Sequence, residues 1–336
     1  MYKVAIVGAG NIGAKRARAA SSNPRSRVSI VASRTHSKAE SLAAQYGAEV
    51  AVDWKTVVAR PDIDIVVVST TNDMLCTIAC AAAANGKAVL CEKPLGRNRD
   101  EARKIVAAFE NPQRLKVGFN YRFHPAIQKA KSLLQGNEIG RVLFLRARYG
   151  TGARPGLENE WRAKKQIAGG GELLDQGVHI CDLFRWFSGE EFHEYHAMIG
   201  NLFWQMETED NAMALMRSTS GILAQFHVSW TQWKNIFSLD IFGTDGYLLL
   251  NGLGGYYGVE TLTVAKRRPE SGPPDQTHLE FAGEDPSWNR EWDHFIECLS
   301  TDKLPIGNAF DGLAAMEMVH HLYLAASDNS SVNLVQ

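Results

Sequence analysis

Runs of Val, Ile and other apolar residues recur through the first third of the chain, at 3–8 (KVAIVG), 28–33 (VSIVAS), 63–69 (IDIVVVS), 87–91 (KAVLC) and 116–119 (KVGF). Each is a near-continuous apolar run, the pattern of a strand buried on both faces. The intervening segments 12–20, 38–46, 74–85 and 100–109 have helical composition. Strands alternating with helices predict βαβ units, right-handed crossovers and a parallel sheet. A doubly wound α/β domain over 1–121 follows.

Beyond Tyr121 the periodicity changes. A helix is predicted to start near Pro125, where proline suits a first turn, and to end by Gly136. Aromatic and β-branched runs then appear at 141–149, 211–217, 222–230, 236–242 and 259–265, punctuated by Ser220-Gly221 and Asp245-Gly246. One long helix, from about 171 to 187, interrupts them. The second domain, 122–336, is therefore expected to be α+β with a largely antiparallel sheet. Helices near 292–299 and 311–326 suit closure of either domain, and the Trp-rich region 286–292 suits packing.

Two domains also fit a length of 336 residues. A formal charge of -1 without an isolated basic block excludes a polyanion-binding role, and Lys266-Arg267-Arg268 reads as a solvated strand end. No apolar stretch approaches the roughly 20 residues of a membrane helix. The first apolar run reaches a glycine turn at Gly8, which leaves no room for a secretory leader. Five scattered cysteines, an odd number, fit a reducing compartment, so a cytoplasmic protein is expected. Cys76 and Cys80 share a helix face but lack a second pair at ligand spacing. They are expected to be buried apolar cysteines, with no metal site.

Gly8-Ala9-Gly10-Asn11-Ile12-Gly13 reads G-x-G-x-x-G directly after a strand and before a helix. In that context Gly8 permits the tight turn, Gly10 lets backbone approach a pyrophosphate, and Gly13 allows close helix–strand packing. The helix N-terminus favours the negative charge. About 20 residues further on, dinucleotide sites for NAD carry an acidic residue. Here stand Ser33 and Arg34, a hydroxyl and a guanidinium that suit a 2′-phosphate. NADP is favoured, with NAD the alternative.

Glu92-Lys93-Pro94 follows the fifth strand, at the sheet edge where open α/β folds bind ligands. Pro94 restricts Lys93 to extended backbone and aims its side chain reproducibly. Asp175 and His179 lie four apart, on one face of a regular helix. A carboxylate beside an imidazole orients the ring and stabilises its cation, as a general acid/base requires. A helix-capping Asp and a core His form the plainer alternative.

Taken together, the glycine turn, Glu92-Lys93-Pro94, Asn120-Tyr121-Arg122-Phe123-His124-Pro125 and G-G-G-x-L-x-D-x-G-x-H-x-x-D-L-x-x-W over 169–186 resemble the glucose–fructose oxidoreductase, inositol dehydrogenase and MocA family, along essentially the whole chain. The resemblance implies a Rossmann domain joined to an α+β domain. Its open, largely antiparallel sheet would form a homo-oligomer, dimer or tetramer, and the helix 311–326 would brace the Rossmann domain. It implies cofactor contacts at Gly8, Gly10, Asn11, Ile12, Gly13, Ser33, Arg34, Thr70, Asn72, Glu92, Lys93 and Arg122. Lys93 would contact the reacting oxygen, Asp175 would bind substrate and support catalysis, and His179 would be the acid/base. The Lys93–Pro94 peptide would be cis. The chain departs from the family's Thr-Pro-Asn-x-x-His after the fourth strand, with Thr71 for Pro and Leu75 for His.

The loop Gly150-Thr151-Gly152-Ala153-Arg154-Pro155-Gly156, followed by Glu160-Trp161-Arg162, precedes the catalytic helix. Arg154, Trp161 and Arg162 are candidates for substrate hydroxyls, phosphate or carboxylate, and Tyr121 and His124 for the nicotinamide side. Trp230 and Trp233 suit site, sheet core or oligomer contact. The expected activity is hydride transfer between nicotinamide C4 and a hydroxyl-bearing carbon of a sugar, sugar derivative or cyclic polyol. A glycosidase using NAD without net redox and a non-catalytic nucleotide sensor are the rivals.

Overall fold

The computed structural model describes residues 1–327 and the pair Val332–Asn333. The chain divides into two compact units. The first holds Met1–Asn120, Gln166–Gly169 and Trp288–Met316; the second holds Tyr121–Lys165, Gly170–Ser287 and the chain from Glu317 on.

In the first unit, strands β1 (Tyr2–Val7), β2 (Ser26–Ala32), β3 (Glu49–Ala51), β4 (Ile65–Val68), β5 (Ala88–Cys91) and β6 (Leu115–Val117) form one parallel sheet in the order β3-β2-β1-β4-β5-β6. Crossovers are α1 (Asn11–Ser22), α2 (His36–Ala44), α3 (Trp54–Val58), α4 (Asn72–Ala84) and α5 (Arg99–Ala108). The order reverses at β1/β4, so the carboxyl ends of β1 and β4 flank the crevice where such sheets bind ligands. Every residue of β4 and β5 is buried, as their unbroken apolar runs require. The strand β3 and helix α3 carry no apolar periodicity strong enough to read from sequence, and β2 begins two residues earlier than expected.

Helix α9 (Ser287–Thr301) lays Trp292, Phe295 and Ile296 onto Val4, Val28 and Ile65 of this sheet, and the indole of Trp292 donates to Ser26 Oγ at 2.9 Å. The Trp-rich segment thus packs.

The second unit contains α6 (Pro125–Gln135) and α8 (Val178–Ser188); of the single turn α7 (Lys165–Ala168) it holds only Lys165, the rest belonging to the first unit. Its nine-stranded sheet comprises β7 (Val142–Gly150), β8 (Phe192–Gly200), β9 (Asn211–Ser218), β10 (Leu223–Ser229), β11 (Ile236–Gly243), β12 (Gly246–Asn251), β13 (Glu260–Lys266), β14 (Asp275–Phe281) and β15 (Val332–Asn333). The order is β14-β13-β12-β11-β7-β10-β9-β8-β15, antiparallel except for the β7/β10 pair. Alternation is clean: Ala212, Ala214 and Met216 of β9 are buried while Met213, Leu215 and Arg217 are exposed. β8, β12, β14 and β15 were not read from sequence. A last helix, α10 (Ala309–Ser327), spans the division between units at Met316/Glu317.

The expected single helix 171–187 is a correction. Leu173–Gly177 is one π-helical turn, and the regular α-helix begins only at Val178. A Cβ on Gly171 would sit 1.9 Å from the Glu209 carbonyl oxygen, so this turn packs tightly on the backbone that precedes β9. The Glu209 carboxylate accepts from the Gly171 and Leu173 amides, at 3.0 and 3.1 Å, and from the Tyr323 hydroxyl at 2.6 Å. That tethering holds the wide turn, and α-helical face arithmetic does not apply to Asp175 within it.

Candidate active site

The glycine turn fits a dinucleotide on geometric grounds. Gly8 has φ +109, a conformation that any side chain would strain, and its amide donates to the Ala32 carbonyl at 2.8 Å. Ser69 at the end of β4 donates its hydroxyl to the Gly8 carbonyl at 2.9 Å. A Cβ on Gly13 would lie 1.9 Å from that same oxygen, which accounts for the third glycine as a helix–strand contact. A Cβ on Gly10 would meet nothing within 4 Å, and Gly10 is the N-cap of α1. Open space therefore lies in front of the unsatisfied amides of a helix N-terminus, where a pyrophosphate is favoured. Asn11 is exposed and Ile12 half-buried beside it.

At the neighbouring strand end, Ser33 Oγ accepts from the Thr35 amide at 3.3 Å, and Arg34 is exposed. After β4, Thr70 donates to the Thr71 carbonyl at 3.2 Å. Asn72 is buried and donates to the Ala168 carbonyl at 2.8 Å. Leu75, in place of the family's His, is fully buried in α4. Cys76 and Cys80 are half-buried rather than buried; their sulfurs lie 4.0 Å apart, and burial pushes the Cys76 thiol up to about 12.

Lys93 is half-buried just past β5, and the Lys93–Pro94 peptide is cis. Its neighbour Glu92 is turned into a buried cluster that the sequence did not disclose. Arg16 of α1 donates to Glu92 at 2.5 Å and to Glu291 of α9 at 2.5 Å, and Lys116 of β6 donates to Glu291 at 2.7 Å. Burial would raise the Glu291 carboxyl, but Arg16 and Lys116 outweigh it and hold it below its ordinary value. The only hint in sequence was an arginine on the inner face of a helix otherwise buried through alanines.

In the second unit, Tyr121 lies in the helical turn Asn120–Phe123, its ring stacked on His179 with centroids 3.9 Å apart and planes 8° apart. Tyr121 and Tyr149 share a short hydroxyl contact, and Tyr149 donates to Tyr257 at 3.1 Å. Burial pushes the Tyr121 phenol well above its ordinary value, so this chain of hydroxyls stays protonated. His179 is 3% exposed at the start of α8, its ring plane fixed by the stack.

Asp175 is paired at 3.1 Å with Arg162, which lies over the Trp161 ring at 4.5 Å and 3.7 Å from Glu160. Glu160 also holds Arg154 at 2.6 Å. The predicted loop residues Arg154, Trp161 and Arg162 thus join Asp175 in one half-exposed network. Arg122 forms a two-point ion pair with Asp182, at 2.9 and 2.6 Å, beneath Trp186. His124 is buried against Glu260 at 2.6 Å. Trp230 is core, whereas Trp233 is 63% exposed.

Residues 2–120 match the oxidoreductase family with an NAD-binding Rossmann fold, and residues 127–249 match the GFO/IDH/MocA C-terminal domain. This chain belongs to the Gfo/Idh/MocA family. The levoglucosan dehydrogenase of Pseudarthrobacter phenanthrenivorans is 29% identical over 59% of this chain and 58% of its own length. The 1,5-anhydro-D-fructose reductase of Ensifer adhaerens is 33% identical over 65% of this chain and 66% of its own. The chain thus matches less than two thirds of either relative's length. A solved levoglucosan dehydrogenase in complex with NADH and levoglucosan superimposes with a TM-score of 0.90 over 100% of this chain and 99% of that one, at 23% identity. No helix among the described residues is long and apolar enough to cross a membrane.

Proposed function

We propose that this Gfo/Idh/MocA protein is an NADP-dependent dehydrogenase or reductase that interconverts a hydroxyl-bearing carbon and a carbonyl on a sugar, sugar derivative or cyclic polyol. The observation that carries this reading is a buried imidazole of fixed orientation, His179 on Tyr121, with the half-exposed Asp175 one turn before it. The levoglucosan and 1,5-anhydro-D-fructose in the relatives' names support the sugar-derivative part of this substrate class.

The bound dinucleotide supplies the hydride acceptor or donor at its nicotinamide ring. The chain's own groups do the rest. Neutral His179 takes the hydroxyl proton in oxidation and returns it in reduction. The Lys93 ammonium stabilises negative charge on the reacting oxygen, a role that needs a cation and not a base. Asp175, held by Arg162, accepts hydrogen bonds from substrate hydroxyls and fixes the ring for reaction. The turn that Gly8 and Gly13 shape, with Gly10, Asn11 and Ile12, would hold the pyrophosphate, and Ser33 and Arg34 would take the 2′-phosphate. The exposed Met198, Met213, Leu215 and Leu223 on one sheet face support a homo-oligomer assembled through that face.

Absorbance of the reduced nicotinamide, followed over a panel of sugars and inositols, is the test. Net turnover supports the reading; sugar release without it supports a redox-neutral glycosidase, and binding alone a sensor. His179→Ala is expected to lower kcat by about 10²–10⁴ while leaving dinucleotide affinity unchanged. An equal loss of both would refute the assigned role.

A further inference from the structure

The loop between β8 and β9 holds apolar side chains in solvent and is nonetheless tightly built. Asp210 is fully buried, and its carboxylate accepts the amides of Leu202, Phe203 and Trp204, each at 2.8 Å. Burial would raise this carboxyl, but these bonds hold it below its ordinary value. Trp204 donates its indole N–H to the Trp230 carbonyl at 3.1 Å, and Asn201 donates to the Met206 carbonyl at 2.6 Å. The result presents Phe203 58% exposed, its ring edge-on to that of Trp233 at 4.8 Å. Trp233 is itself 63% exposed and has φ +53, a strained conformation for a bulky residue. Its backbone lies close to Gly152, where a Cβ would come within 3.2 Å of the Trp233 Cα. Two aromatic rings are thus fixed in water by strain and buried hydrogen bonds, which hydrophobic burial does not explain.

Against Phe203 lies an open groove of about 670 Å³, within the range of small-molecule sites, lined by Leu202, Trp204 and Met206 together with Glu158, Lys164 and Glu207; Trp233 stands outside this lining and backs it through its edge-on contact with Phe203. None of Lys93, Asp175 and His179 lines it. It nevertheless shares a wall with the Asp175 network. The Glu207 amide donates to the Ala163 carbonyl at 3.1 Å, and Thr208 Oγ1 to the Arg162 carbonyl at 2.9 Å, while the Arg162 side chain pairs with Asp175. Aromatic rings meet the C–H face of a pyranose; carboxylates, amides and an ammonium meet the hydroxyls around its rim.

We propose that this groove is a subsite for a second sugar ring, so that the substrate is a disaccharide or other glycoside and not a free monosaccharide. The proposal rests on the dehydrogenase reading above and deepens it. An open groove that sets Glu158, Lys164 and Glu207 beside Phe203 and Trp204 suits one small ring better than a flat contact with a second copy, where charge is depleted at the centre.

The test measures kcat/KM of the wild type, Phe203→Ala and Trp233→Ala on glucose, maltose and cellobiose, alongside oligomer size. Wild type is expected to prefer a disaccharide at least about tenfold, and each variant to lose about tenfold of that ratio through KM. Phe203→Tyr should recover most of it, which separates lost stacking from misfolding. Equal kcat/KM on one and two rings overturns the subsite and leaves the dehydrogenase reading standing. So does an unchanged ratio in a variant that falls apart into monomers, which would mark a contact between copies. If nothing in the wider panel of sugars and inositols is oxidised either, the dehydrogenase reading fails, and tryptophan fluorescence of the cofactor-loaded protein titrated with maltose and cellobiose decides the subsite. Saturable quenching lost in Phe203→Ala supports it; no quenching overturns it.

Discussion

Two charged networks in this molecule use the same chemistry to opposite ends. In the Rossmann unit, Arg16, Glu92, Glu291 and Lys116 meet at 2.5–2.7 Å with side chains 0–10% exposed. In the second unit, Arg154, Glu160, Arg162 and Asp175 meet at 2.6–3.7 Å with side chains 20–72% exposed. Distance hardly separates them; water does. A dry network cannot exchange partners without stranding a charge, so it behaves as a brace that ties α1, β5, β6 and α9 together behind the glycine turn. A wet network loses little when one partner leaves, so its groups remain available to a ligand's hydroxyls. Glu92 beside Lys93 illustrates the point. Adjacent in sequence, one faces the brace and the other is half-buried at the sheet edge.

The largest effect is expected from breaking the brace. Arg16→Ala strands Glu291 with only Lys116 and leaves Glu92 without its arginine, and should cost about 3–5 kcal/mol in urea unfolding. A loss near the 0–1 kcal/mol of a surface pair would erase the contrast drawn above.

Next comes the pH dependence of the same cluster. The folded Glu291 carboxyl lies below its ordinary value of 4.5. A depressed carboxyl contributes stability above its unfolded value and loses it as pH falls through the folded one. Unfolding free energy should therefore fall as pH drops below about 4.5, by up to about 1.4 kcal/mol per pH unit from this group. Glu291→Gln should flatten that slope in thermal melts, even though it lowers stability at pH 7. An unaltered slope would place the acid sensitivity elsewhere, for instance at Glu260, whose carboxyl His124 holds below its ordinary value against burial.

Smaller again is the effect of opening the wet network. Arg162→Ala is expected to change stability by about 1 kcal/mol or less. It should nonetheless lower kcat/KM by on the order of tenfold to a hundredfold, because Asp175 loses the partner that fixes it. A variant that loses stability and keeps activity would make this network another brace.

The same division by burial governs what was legible in sequence. Unbroken apolar runs announced β4 and β5, because strands buried on both faces tolerate little else. The glycine turn was legible because Gly8 and Gly13 answer to steric demands that only glycine meets. β14 was not, since its residues are mostly exposed and carry no inward stripe. The brace was invisible because Arg16 and Glu291 are 275 positions apart and each alone reads as an ordinary helix charge. The π-helical turn at Asp175 was missed for a similar reason: Glu209, which tethers it, arrives from a distant loop. Local pattern records what a residue packs against nearby, and says little of a partner brought in by topology.

The smallest effect concerns an exposed arginine at the sheet edge, where the contrast between dry and wet charge is sharpest. Arg34 is solvated, so removing it should leave stability within about 0.5 kcal/mol of wild type. Its proposed work appears only with a ligand. A guanidinium on a 2′-phosphate makes charge-assisted hydrogen bonds, and the neighbouring Ser33 hydroxyl is free to donate because it accepts from the Thr35 amide. Arg34→Ala should therefore raise KM for NADP by about tenfold, equivalent to ~1.4 kcal/mol, and leave KM for NAD unchanged. Salt should weaken wild-type NADP binding more than NAD binding, since a surface charge pair is screened. If wild type instead favours NAD, and Arg34→Ala alters neither KM, then Ser33 does the deciding through the ribose 2′-hydroxyl and the arginine is only a solvated loop residue.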